Sequence, residues 1–162
     1  MKSLAVKDRH ARHSGIRLGL SLLLGEAFEL DPASIEAAIN LGGAYILMGK
    51  HARAVPVLEA ASRLDPNNPM VWINLAAAYL GKLPFAQREA QDQAIGAFQR
   101  ALELNPHAPH VHYNLGLIYL ERDDLTRAAA HFDRALDTDP FDTDARNYLE
   151  RIESQRGPAD TE

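Results

Sequence analysis

A turn signal of leucine, an aspartate or asparagine, and proline recurs along the chain at nearly constant spacing. Its copies are Leu30-Asp31-Pro32, Leu64-Asp65-Pro66, Leu104-Asn105-Pro106 and a weaker Thr138-Asp139-Pro140. The four prolines stand 34, 40 and 34 residues apart. Two more series repeat the intervals of 34 and 40 residues, namely Leu41, Leu75 and Leu115, and Tyr45, Tyr79 and Tyr119. Three independent markers with one spacing predict an internal repeat, and this constrains the fold more than any other feature.

The periodicity inside each unit is helical. In the middle copy one apolar face has the spacing i, i+3, i+4, i+7, as expected for one side of a helix. Its members are Trp72, Leu75, Ala76 and Tyr79. A second such face follows, made of Ala94, Ile95, Phe98, Ala101 and Leu102. Because the prolines come just after this second face, each unit is expected to be a helix A, a turn, a helix B and a link that contains proline.

These residues resemble the tetratricopeptide repeat, whose pattern is W-x2-L-G-x2-Y, then A-x3-F, a further Ala and Pro. The middle unit matches at Trp72, Leu75, Ala76, Tyr79, Ala94, Phe98, Ala101 and Pro106. The third matches at Leu115, Gly116, Tyr119, Ala128, Phe132, Ala135 and Pro140, with His112 in the tryptophan place. The first matches at Leu41, Gly42, Tyr45, Ala54, Leu58, Ala61 and Pro66, with Ala38 in that place. The resemblance implies an all-α fold, a right-handed solenoid of antiparallel helix pairs.

The repeat predicts the following division of the chain. Residues 35–68, 69–108 and 109–142 form three full units, and 143–156 form a capping helix with a polar outer face. Residues 1–34 hold a basic lead-in and a degenerate unit, mainly a helix from about Ser14 to Leu30, and 157–162 form a disordered tail. The basic start followed by Leu18–Leu24 also allows a targeting segment, but the apolar run is short and no A-x-A pattern follows it.

The middle unit carries six extra residues between Tyr79 and Ala94. The stretch is rich in helix formers and Pro84 suits a first helical turn, so helix B is expected to lengthen to about 84–104. Two interpretations stay open, a tolerated surface insertion and an added wall or dimer contact through Leu83 and Phe85. In the first unit, Pro56 lies inside helix B and is expected to bend it locally.

Small residues occupy matching places on the two helices of each unit. Gly42, Ala76 and Gly116 on the A helices are expected to face Ala54, Ala94 and Ala128 on the B helices. Only small side chains there would let the helices pack closely, and a leucine would overpack the contact by roughly 1–3 kcal/mol.

The resemblance implies that helix A lines a concave groove through particular places of each unit. The expected groove residues are Ile39, Asn40, Ile46, Met70, Ile73, Asn74, His110, Tyr113, Asn114 and Leu117. The sixth place is asparagine in all three units, and an amide ladder could hold the backbone of an extended peptide. Asparagine is also common at this place in the family whatever its members do. Lys and Arg are absent from the places of the family's carboxylate clamp, which hold Ile39, Gly43, Asn74, His110 and Asn114.

Composition argues against several other functions. The net charge of -5 disfavours a nucleic-acid surface, and no apolar run reaches the roughly 20 residues that span a bilayer. The chain has no cysteine, which fits a reducing compartment, and we expect a cytoplasmic protein. His107, His110 and His112 resemble a metal cluster only in composition, because His110 and His112 diverge on a helix. We expect no metal, no cofactor and no catalytic residue, since phosphate-loop, HExxH and GxSxG patterns are missing.

The sequence therefore predicts a protein–protein interaction module that binds a peptide or helix with apolar anchors in its groove. The alternative is a self-assembly unit, for example a homodimer, in which another copy's terminal helix fills the groove. Copurifying material, or light scattering with and without residues 1–30, would separate the two.

Overall fold

The computed structural model describes residues 34–156 and, before them, residues 19, 22, 23, 25, 26 and 31. Residues 34–156 form seven α-helices and one short 3-10 helix, with no strand among them. The α-helices are α1 (Ile35–Leu47), α2 (His51–Leu64), α3 (Pro69–Leu80), α4 (Arg88–Leu104), α5 (Val111–Glu121), α6 (Leu125–Thr138) and α7 (Thr143–Arg156), and the 3-10 helix is Leu83–Phe85. The expected A helices are α1, α3 and α5, and the B helices are α2, α4 and α6.

Each helix packs mainly on its neighbours along the chain, as in a solenoid. The buried residues fall into three apolar clusters rather than one central core. One cluster lies within the first unit and its contact with Val71, and a second joins α1 and α2 to α3. The largest runs from Ala76 on α3 to Ile152 on α7, so α7 packs on the third unit, and its role as a cap stays a prediction.

Side chains before the helices satisfy their first backbone N–H groups. The Ser34 Oγ accepts from the Ala37 N–H at 3.2 Å, and the Asn68 Oδ1 accepts from the Met70 N–H at 3.1 Å. The Asp124 Oδ1 accepts from the Arg127 N–H at 3.0 Å at the start of the third helix B. These caps fix where the helices begin, and thereby which residues face each neighbouring helix.

The glycines of helices α1 and α5 permit a close approach of the helix pairs. A Cβ atom on Gly42 would lie 2.6 Å from the Cγ of Leu58, and one on Gly116 would lie 2.7 Å from the ring of Phe132. The prediction that small residues are required is confirmed, but the direct contact is different from the one expected. The glycines make room for the large residues Leu58 and Phe132, while the alanines of the B helices are separately buried.

The predicted start of helix B at residue 84 is wrong. Residues Leu83–Phe85 form the 3-10 turn, with Pro84 inside it, and Ala86 and Gln87 are extended before α4 begins at Arg88. The helix is lengthened, since α4 has 17 residues where α2 and α6 have 14. The insertion therefore adds about one helical turn and a separate short turn.

Arg122, just after α5, fastens this insertion to the third unit. Its Nε donates to the Gln91 Oε1 at 2.7 Å, and its Nη2 donates to the Asp92 Oδ1 at 2.7 Å and the Arg88 carbonyl at 3.2 Å. The Arg122 side chain is only 13% exposed, so these bonds are partly shielded from water. The insertion is thus an anchored part of the junction between the second and third units.

Several expectations concern residues outside those described. Gly19, Leu22, Leu23, Gly25 and Glu26 are helical, in agreement with the predicted leading helix, while the rest of 14–30 lies outside the described residues. The lead-in at 1–13 and the tail at 157–162 also lie outside them. Helix α2 runs through Pro56, and the bend expected there stays a prediction.

Candidate functional site

The expected groove residues of the A helices are partly buried and partly accessible. Ile39, Ile46, Ile73, Tyr113 and Leu117 are half-buried, because one side of each packs against an apolar cluster. Met70 is 47% exposed. Leu80, at a further expected groove place, is 8% exposed, so it belongs to the core instead. The accessible parts of these side chains form a surface that is largely apolar on α1 and α3.

The three asparagines at the sixth place differ in their bonding. Asn40 is exposed, whereas Asn74 and Asn114 are half-buried. The Nδ2 of Asn74 donates to the Met70 carbonyl at 3.1 Å, and the Nδ2 of Asn114 donates to the His110 carbonyl at 2.8 Å. Each of these amides donates one N–H to a carbonyl of the preceding turn, while its Oδ1 and its second N–H are not used in this bond. A peptide ladder would therefore use the remaining groups, and it stays a prediction.

A cavity of about 330 Å³ lies between α5 and α7. It is lined by Tyr113, Asp144, Asn147, Tyr148 and Arg151. We count places from the first residue of each unit, which is 35, 69 or 109, and from 143 on α7. Asp144, Asn147, Tyr148 and Arg151 then stand at the second, fifth, sixth and ninth places, which are among the places expected to line the groove. Tyr113 is the fifth place of the third unit. The groove places thus continue from α5 onto α7, a helix that the sequence indicated only as a cap.

Three aromatic rings pack against one another beside the cavity between α5 and α7. The Phe132 and Tyr148 rings stack with centroids 5.1 Å apart and planes 9° apart. Tyr113 meets both rings edge-on, at 5.9 Å from Phe132 and 6.4 Å from Tyr148. The Arg151 guanidinium lies 5.0 Å above the centroid of Tyr148. Because Phe132 is fully buried, it holds the two tyrosines from below.

A second cavity of about 290 Å³ shares Tyr113 with the first. Its other lining residues are Ala108, Pro109, His110, His112, Ala135, Thr138, Asp139 and Asp142. The cavity opens where the third helix A begins late. Ala108 stands in the place of the caps Ser34 and Asn68, and it has no side-chain oxygen to accept a bond. Helix α5 accordingly starts at Val111, and His110, expected on the helix, lies before it with a left-handed φ of 59°.

Burial and nearby charges shift the pKa of three groups in this region. Burial and the neighbouring Tyr148, Asp144 and Asp142 raise the pKa of Tyr113 above its ordinary value. Burial, His112 and two arginines lower the pKa of His131 to about 4, and burial and Arg134 lower that of His112. The two imidazoles are neutral at pH 7 and meet with their Nδ1 atoms 3.0 Å apart.

The three histidines have different surroundings. His112 is 9% exposed in the tryptophan place, and His107 lies in a turn. His110 is exposed and lies before the helix that carries His112, and both line the cavity of about 290 Å³. In the stretches of chain that the structure describes, no three His, Asp or Glu side chains come together in a metal-ligand group. No helix in those same stretches is long and apolar enough to cross a membrane.

The fold defines a class of protein, an α-solenoid of repeated helix pairs. Two tetratricopeptide repeat models match the sequence, at residues 22–78 and 90–145, and together they cover more than half of it. The chain belongs to the tetratricopeptide repeat family. The predicted repeat and the all-α solenoid are thereby confirmed.

Among curated proteins, the chain is similar to anaphase-promoting complex subunit 3 of Schizosaccharomyces pombe, with 26% identity over 86% of this chain and 20% of that protein. It is also similar to the peroxisomal targeting signal receptor of Candida glabrata, with 26% identity over 80% of this chain and 21% of that protein. The chain thus spans about a fifth of the length of these relatives.

Solved structures show the same fold. The crystal structure of MamA superposes with a TM-score of 0.76 at 23% identity, covering 90% of this chain and 82% of MamA. The first tetratricopeptide domain of Spaghetti (RPAP3), bound to the HSP90 peptide SRMEEVD, superposes with a TM-score of 0.61 at 22% identity. That match covers 85% of this chain and 96% of the Spaghetti domain.

Proposed function

We propose that this chain is a protein–protein interaction module that binds an extended peptide segment of a partner along the groove places of α1, α3, α5 and α7, and that it binds without catalysing a reaction. Proteins of this family generally mediate protein–protein interactions, and one structural relative has been solved with a peptide bound. The groove residues proposed for contact are Ile39, Asn40, Ile46, Met70, Ile73, Asn74, His110, Tyr113, Asn114 and Leu117, joined by Asn147 and Tyr148 of α7.

The observation that carries the proposal is the cavity between α5 and α7. Tyr113 and Asn147 of its lining stand at the same place of two successive units, and the other three lining residues belong to α7. An accessible apolar or aromatic surface bordered by polar groups is typical of interaction sites. Half-buried side chains such as Ile73 and Tyr113 are also held in place by the core, which lowers the entropy lost on binding.

The test uses a library of random 12-residue peptides displayed on phage and selected against the full chain. Affinities of the selected peptides are then measured by fluorescence anisotropy for the wild type and for Met70→Ala/Asn147→Ala. Both of these side chains are exposed, so the fold should tolerate their loss. We expect at least about tenfold weaker binding, since two contact residues at about 0.7 kcal/mol each would account for it.

The matched control is Gln99→Ala/Asp133→Ala, which removes two exposed side chains of B helices. It should bind the selected peptides as tightly as the wild type. Equal loss in both variants would place the binding outside the groove, and failure to select any peptide would reject peptide binding altogether. A molecular mass in light scattering that rises with concentration would favour the alternative, in which another copy fills the groove.

A further inference from the structure

The two ends of the groove differ in charge. At the end formed by α5 and α7, Asp139 and Asp142 line one cavity and Asp144 lines the other, with Tyr113 between them. The lining residues of both cavities include a single arginine, Arg151, and no lysine. At the other end, the accessible residues of α1 and α3 are mainly apolar, with Glu36 as the one exposed carboxylate. A ligand that spans the groove must therefore complement an apolar surface and a negative one.

The three carboxylates remain available to a ligand. The Asp139 Oδ1 accepts from the Phe141 N–H at 3.0 Å, and the Asp142 Oδ1 accepts from the N–H groups of Asp144 and Ala145 at 3.1 and 2.9 Å. In both residues one oxygen is used by the loop, while the second oxygen and the charge are not neutralised by these bonds. Asp144 is exposed beside the first cavity.

Arg151 does not cancel this charge. It lies seven residues after Asp144 on α7, a rise of about 10 Å along the helix axis. Its guanidinium lies over the ring of Tyr148. Burial and the neighbouring Tyr148, and after them Asp144 and Asp142, raise the pKa of the Tyr113 hydroxyl, so both carboxylates lie near enough to act on this ring. The three aspartates thus line the two cavities that share Tyr113, while Arg146 on α7 donates to the Pro140 carbonyl and lines neither cavity.

We propose that the groove selects an extended peptide that carries a lysine or arginine, whose cationic group lies against the Tyr113 ring among Asp139, Asp142 and Asp144, and whose apolar residues cover the α1–α3 end. This rests on the proposed function and names the chemistry of its partner. A cation gains from three carboxylates and from the face of an aromatic ring, whereas a carboxylate would be repelled. An acidic segment such as SRMEEVD, in which three acidic side chains outnumber one arginine, is therefore a poorer partner for this groove than a segment with net positive charge.

The decisive variant is Asp139→Asn/Asp142→Asn/Asp144→Asn, which removes the charge and keeps the shape. The repeat shows that the first two changes suit the fold. Asn105 stands in the place of Asp139 and accepts the equivalent bond from the His107 N–H, and Asn68 stands in the place of Asp142 and caps α3. The charge-matched control is Asp133→Asn/Glu150→Gln/Glu153→Gln, three exposed acids that line neither cavity.

The peptide library is selected in parallel on the full wild-type chain and on both triple variants. Wild type and control should enrich lysine and arginine above the unselected library, together with apolar residues, and the decisive variant should enrich only the apolar ones. A selected peptide should bind the decisive variant about five- to tenfold more weakly at low salt, with the difference shrinking as salt is added. Because its net charge is negative, the peptide SRMEEVD should bind the wild type more weakly than the selected basic peptides.

The outcomes separate this inference from the proposed function. Peptides that lose affinity in Met70→Ala/Asn147→Ala but show no enrichment of basic residues would overturn the inference and leave the function standing. The inference also fails, with the function intact, if basic residues are still enriched by the decisive variant or if SRMEEVD binds with equal affinity. If no peptide is selected by any form of the chain, both are rejected.

Discussion

The first and third units are built from the same helix pair, but the residues at the contact between the two helices differ in polarity. In the first unit Ala38 is buried in an apolar cluster on which Val57 packs. In the third unit the same two places hold His112 and His131, whose Nδ1 atoms lie 3.0 Å apart. The middle unit has Trp72 and Ala97 there, both in the largest cluster. The repeat therefore fixes which two places of a unit meet, and leaves the size and the polarity of the residues there open.

The aromatic cluster of the third unit provides the largest expected effect. Phe132→Ala removes a fully buried ring that stacks on Tyr148, and should lower the free energy of unfolding by about 4 kcal/mol. The equivalent Leu58→Ala in the first unit should cost about 3 kcal/mol. Urea denaturation followed by circular dichroism measures both losses.

The two substitutions should differ more in their effect on peptide binding than in their effect on stability. Under conditions where both variants are folded, Phe132→Ala should lose the affinity for groove-binding peptides, because Tyr113 and Tyr148 lose their support. Leu58→Ala should keep it. If both variants bind equally well, the aromatic cluster does not shape the site, and the contrast between the units concerns packing alone.

The histidine pair should make the third unit sensitive to acid. Since the pKa of His131 is lowered to about 4 in the folded chain, from about 6.5 when unfolded, the unfolded state binds more protons below pH 6.5. Stability is fully present above pH 6.5 and is lost as the pH falls towards 4. This pKa shift corresponds to a loss of at most roughly 3 kcal/mol in the free energy of unfolding.

His131→Gln isolates this contribution from that of the carboxylates, which titrate in the same range. Arg127, Arg134, Asp137 and Tyr119 surround the pair and are left in place by the change. Unfolding free energies from pH 7 to pH 4 should fall less steeply for the variant than for the wild type. Parallel curves would mean that the pair takes up protons equally in both states.

The starts of α3 and α5 provide the smallest effects, with opposite signs. Asn68→Ala removes the side-chain cap of α3 and should cost about 1 kcal/mol. His110 precedes α5 in a left-handed conformation without a side-chain cap, so His110→Gly should stabilise the chain by about 0.5 kcal/mol. Thermal melts of the two variants beside the wild type would test this, and a loss of stability in His110→Gly would show that its side chain contributes more than its backbone strain costs.

Much of the fold could be predicted from the sequence because the repeat is periodic. The proline and tyrosine series set the register of the units, and apolar spacing located the helix faces without any knowledge of their partners. The need for small residues at Gly42 and Gly116 also followed from the pattern, although Leu58 and Phe132 were not recognised as what they accommodate. The cap by Asp124 was predictable because it depends only on residues three apart.

What the sequence alone determined was therefore local: the helix pairs and the apolar faces on which they pack. The tertiary structure decided what those residues meet. It placed a 3-10 turn in the middle insertion and fastened the start of α4 with Arg122, which lies at least 30 residues away from its partners along the chain. It also brought α7 beside Tyr113 and placed Asp139, Asp142 and Asp144 along the two cavities that share this ring. Such contacts depend on how successive units are placed in space, and a repeating pattern carries no information about the residues that differ between its copies.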